Sequence, residues 1–117
     1  MRRKTAKRTK RSGTLSDERF RELVEEATVD AYGEEEEAGG WLAVIDDHVG
    51  FPFDVDLLGV KVAVVGVDMT DACELVALCR QGKNRLKVSL LELPLPCPPP
   101  EGVEWIEAFQ RWRIRQG

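Results

Sequence analysis

The hydrophobic period of this chain switches from helical to two at "GFPFDVD" (residues 50–56), and that change limits what it can fold into. Upstream, Phe20, Leu23, Val24, Ala27 and Ala31 recur at the three-and-four spacing of one helix face, as do Ala38, Trp41, Leu42, Ile45 and Val49. Thr14 or Ser16 supplies an amino-terminal cap, Gly33 a stop between the two helices, and Gly50 with Pro52 the end of the second. Gly39 and Gly40 lower the helix propensity of that second segment, but adjacent glycines also admit a close backbone neighbour. Downstream the period is two. Val60, Val62 and Val64, then Cys73, Leu75, Ala77 and Cys79, then Leu86, Val88 and Leu90 alternate with their neighbours, separated by "VDMTD" and "QGKN" turns. This predicts a three-stranded antiparallel meander whose two apolar faces must be covered or curled, as in a small SH3-like barrel. The proline-rich stretch 94–100 then leads to a final helix over 102–114 with Trp105, Phe109 and Trp112 on one stripe, a core stripe. The expected class is α+β, with one domain over 14–117.

Charge divides the chain differently. Residues 1–12 carry seven bases and no acid, residues 13–60 carry 14 acids against Arg19 and Arg21, and the remainder is close to neutral. The tail over 1–13 has no apolar periodicity and is expected to be disordered. Its bases, from Arg2 to Arg11, suit a nucleic acid or an anionic surface, but equally solubility or a fold back onto the acidic half.

Several classes are excluded or left without support. No apolar run reaches the roughly 20 residues that span a bilayer, and no apolar segment follows the basic start, so a soluble cytoplasmic protein is expected. Cys73, Cys79 and Cys97 form no paired motif, and His48 is the one histidine, so a structural zinc site is not expected; the odd thiol count suits a reducing compartment. No nucleophile motif or phosphate-binding glycine loop is present, and no enzymatic activity is expected.

The carboxylates carry the functional argument. Glu34 to Glu37 open the second helix, where the helix dipole favours acids, and this alone explains them as a solvated helix start. Successive helical residues point about 100° apart, so the four cannot serve one ion; Glu34 and Glu37 converge, and Asp30 approaches across the Gly33 hinge. Asp46 and Asp47 stand in the last turn of the same helix, where the dipole disfavours anions, with Asp54 and Asp56 shortly after. A cation would relieve that repulsion. Glu34 and Asp46 lie roughly 18 Å apart along the helix, so the two clusters would be separate sites. Asp68, Asp71 and Glu74 flank a turn, where aspartates are ordinary; they become a ligand source if that turn folds against the acidic helices. From Asp30 the sequence lacks an acid at the third position and a glycine at the sixth, which rules out an EF-hand loop.

The blocks "VDAYGEEEEAGGW" (29–41) and "DDHVGFPFD" (46–54), with "RLKVSLLEL" (85–93) and "VEWIEAFQRWR" (103–113) downstream, resemble the CcbP-type calcium-binding proteins of cyanobacteria and their relatives. The resemblance covers about residues 16–114; the basic tail has no counterpart in it, and the region of Gly39, Gly40 and Val44 is plainer than the family's aromatic-rich helix. It implies calcium binding by a compact acidic domain that is not an EF-hand, as a buffer or signalling protein. With the charge pattern, it makes Asp30, Glu34, Glu35 and Glu37 one candidate ligand group for Ca2+ and Asp46, Asp47 and Asp54 a second, in a monomer. The alternative is a non-enzymatic adaptor or nucleic-acid-associated module acting through the basic tail.

Overall fold

The computed structural model describes residues 15–96 and 98–116. The tail over 1–13, Thr14 as a cap and Cys97 lie outside the described residues.

Helix α1 spans Asp17–Thr28, and the Ser16 side chain caps it by accepting from the Arg19 amide at 3.1 Å. It stops five residues before Gly33. Thr28 Oγ1 donates to the Val24 carbonyl at 2.7 Å, and Asp30 takes a left-handed conformation (φ 60°) that turns the chain away. Gly33 serves instead as the cap residue of α2, Glu34–His48. The crossing of α1 and α2 depends on Gly40, where an added Cβ would lie 2.0 Å from the Ala27 carbonyl oxygen. Gly39 has nothing within 4 Å, so only one of the paired glycines is needed for close approach.

The sheet has four strands rather than three, β1 Phe53–Leu57, β2 Val60–Met69, β3 Leu75–Gln81 and β4 Asn84–Ser89, in the order β1-β2-β3-β4 and antiparallel throughout. The added strand is β1, in which Phe53, Val55 and Leu57 alternate with Asp54 and Asp56. A two-residue turn joins it to β2 with both central residues at positive φ, Leu58 (52°) and Gly59 (83°), as a type I′ hairpin requires. A leucine where Asn or Asp is usual hid the turn in the sequence. The second and third strands are displaced from the expected spans: Cys73 lies in the β2–β3 turn at φ 64°, and Leu90 opens a short 3₁₀ turn, Leu90–Glu92. A bulge between Val64 and Gly66 reverses the alternation of β2, so that Val62 and Val64 before it and Val67 and Met69 after it all pack against the core. Among the described strands β1 and β4 are not paired with each other, so the sheet is open.

Helix α3, Val103–Gln116, completes the core with Trp105, Ile106, Ala108 and Phe109. Trp41 is fully buried between Phe109 (ring centroids 5.6 Å apart) and Trp112 (5.5 Å), and its indole N–H has no hydrogen-bond partner. Contacts from three residues hold α3 and the chain leading into it. Gln110 Nε2 donates to the carbonyls of Leu90 (2.9 Å) and Leu93 (3.1 Å); the Gly50 amide donates to Glu101 O at 2.8 Å; Arg111 reaches Leu15 O, Asp17 and the face of Phe20.

Candidate metal site

The start of α2, the β2–β3 turn and the end of α3 enclose a cleft of about 270 Å³. Glu34 and Glu37, one helical turn apart, line one wall, and Glu74 lines it from the turn. The condition attached to Glu74 in the sequence is therefore met: its turn folds against the acidic helix. Thr70 shapes that turn, its Oγ1 accepting from the amides of Ala72 and Glu74, both at 3.2 Å. Ser89 and Gln116 add neutral oxygens to the lining, while Cys73 and Arg113 also border it. The apolar floor is Ala38, Phe109 and Trp112, which sets the Trp41 ring cluster directly behind the carboxylates.

The remaining acids of the first group are elsewhere. Glu36 Oε1 accepts from the Tyr32 amide at 2.7 Å, a capping role that ties down the helix start. Glu35 is exposed, and neither it nor Asp30 lines the cleft. Asp30 stands in the left-handed turn ahead of α2.

The second group lies at the end of α2 and on β1. Asp46 and Asp47 are exposed in the last turn of α2. Asp54 is exposed on β1, alternating with Val55, which is buried in the core, and standing opposite Ala63 of β2; its neighbour Asp56 stands opposite Lys61. His48 stacks flat on Trp105 (centroids 4.8 Å, planes within 8°), with Nε2 3.8 Å from Asp47 Oδ2. That stacking gives the histidine a packing role where the α2 end meets the α3 start.

Among the described residues, no three acidic, histidine or cysteine side chains gather into a group able to hold a metal ion. The donors in the cleft are nonetheless those a hard cation takes: carboxylate, hydroxyl and amide oxygens. The cleft is thus chemically suited to calcium without being a preformed cage.

A family model for calcium-binding proteins of the CcbP type matches residues 21–113. The chain belongs to the CcbP calcium-binding family. Two solved structures share its fold: Anabaena CcbP, at 23% identity over 87% of this chain and 94% of that one (TM-score 0.63), and a calcium-binding protein in its calcium-binding form, at 23% identity over 91% and 98% (TM-score 0.68). No curated protein sequence matches the chain. The family is defined by calcium and not by a reaction, and no helix among the described residues is long and apolar enough to cross a membrane.

Proposed function

We propose that this protein binds Ca2+ reversibly at the cleft between α2 and the β2–β3 turn, with Glu34, Glu37 and Glu74 as carboxylate ligands and Ser89 and Gln116 as supplementary oxygens. One observation carries the reading: carboxylates distant in sequence line a single cleft in a chain of a calcium-binding family. Calcium tolerates irregular coordination by six to eight oxygens, so side chains held apart by mutual repulsion can swing inward as the ion arrives. Asp30, in the turn ahead of α2, and Glu35, in its first turn, add negative charge at that end of the helix. Asp46, Asp47 and Asp54 form a second, weaker and independent locus in the same proposal.

Because the carboxylate ligands come from two segments, α2 and the β2–β3 turn, occupancy would tie the start of α2 to the sheet. Coupling of that kind suits a signalling protein better than a passive buffer. The Trp41, Phe109 and Trp112 cluster behind the cleft makes the event visible as a change in tryptophan emission.

Calorimetry and tryptophan fluorescence during calcium titration test the proposal. Glu74→Gln should weaken binding by about tenfold, in line with losing a charged ligand from a tuned site, while Asp54→Asn leaves the first binding phase unchanged. Absence of saturable calcium heat below about 1 mM, the weak end of known calcium modules, would remove the proposal altogether.

A further inference from the structure

The β3–β4 hairpin presents a second surface, opposite in charge to the acidic helices. Arg80 of β3 stands directly across from Arg85 of β4, and Lys87 across from Leu78. Like charges at directly opposed positions destabilise a sheet. Among the described residues, neither arginine takes part in an ion pair. A cleft of about 500 Å³ beside these bases is lined also by Val65, Leu78, Cys79 and Leu86, with no acid and no aromatic ring in its lining. β4 is also an outer strand of the sheet, and Asn84 to Lys87 are exposed along it. An outer strand offers unpaired backbone N–H and C=O groups to an incoming strand.

We propose that this edge binds an acidic, extended peptide segment of a partner protein, which adds to β4 as a fifth strand. The strand geometry specifies the ligand. Arg85 and Lys87 share one face of β4 and Leu86 and Val88 the other, so a complementary strand alternates acidic with aliphatic residues. Its carboxylates neutralise the Arg80–Arg85 pair, and its aliphatic side chains extend the apolar row of Leu86 and Val88. A nucleic acid is the poorer fit, because unpaired bases are held chiefly by stacking on aromatic rings, which this lining lacks. Basic residues on an edge strand also discourage self-pairing, but that purpose does not require two arginines face to face.

The test uses the full chain and a fluorescent peptide of about eight residues alternating Asp and Val, followed by anisotropy. Saturable binding is expected, weakened at least fivefold or so by Arg85→Glu or by Lys87→Glu, and lost when alternate amides of the peptide are N-methylated. Arg85→Glu should also raise the melting temperature of the free protein, because it removes the like-charge pair. Absence of binding, binding by both variants as tight as that of the unmodified protein, or tighter binding of an oligothymidine than of the peptide would overturn the proposal. Undiminished binding of the N-methylated peptide would overturn strand addition.

Discussion

Two neighbouring glycines in α2 have opposite meanings. Gly40 faces α1 so closely that any Cβ would collide with the Ala27 carbonyl oxygen, and backbone cannot step aside as a side-chain tip can. Gly40→Ala should therefore cost about 1 to 3 kcal/mol through forced separation of α1 and α2. Gly39 has open space around its Cβ position, and Gly39→Ala should stabilise by about 0.5 to 1 kcal/mol through the lower flexibility of the unfolded chain. Urea denaturation of the two variants reads both signs in one experiment. The four glutamates divide in the same way. Glu36 is committed to capping through the Tyr32 amide, Glu34 and Glu37 line the cleft, and Glu35 faces solvent. The reason is helical geometry, which spreads consecutive residues around the axis and keeps one turn's partners together.

Among the elements, β1 shows how a turn can hide a strand. Its alternation is regular, but the Leu58-Gly59 turn lacks the Asn or Asp that signals a type I′ hairpin, and Leu58 is wholly exposed at positive φ. Leu58→Asn should stabilise the domain by about 0.5 to 1 kcal/mol, because asparagine tolerates that conformation and no buried contact is lost; thermal unfolding checks it. The pairing of α1 with α3 is the other element-scale feature. Arg111 donates to Leu15 O at 3.2 Å, bonds Asp17 and lies 4.3 Å from the centroid of the Phe20 ring, so Arg111→Ala should cost about 1 kcal/mol, mostly the ring and backbone contacts. The Arg111 hydrogen bond, and then its charge, hold the Asp17 carboxyl below the ordinary value of 3.8. A carboxylate whose pKa is lower folded than unfolded stabilises the fold above its unfolded value. That contribution is lost as pH falls from 3.8 through the lowered folded value. Asp17→Asn should flatten the fall of stability in that acid range, as followed by denaturation at successive pH values.

For the whole molecule, charge is gathered into local patches of opposite sign. The start of α2 lines the proposed calcium cleft with Glu34 and Glu37, and the β3–β4 hairpin carries Arg80, Arg85 and Lys87, so the two proposed binding surfaces are opposite in charge. Calcium at the cleft should raise the melting temperature with increasing ion concentration, since a ligand that prefers the folded state stabilises it by mass action. The sequence alone determined the helix and sheet halves, the four-residue glutamate run as a helix start, the aromatic core stripe of α3 and the resemblance to the calcium-binding family. Periodicity and composition report what is local, and those features are local. Only the tertiary structure decided that Glu74 lines one cleft with Glu34 and Glu37, and that Arg80 stands opposite Arg85. Each of those facts depends on which strand lies beside which and where a turn folds, and neither is encoded in the spacing of residues along the chain.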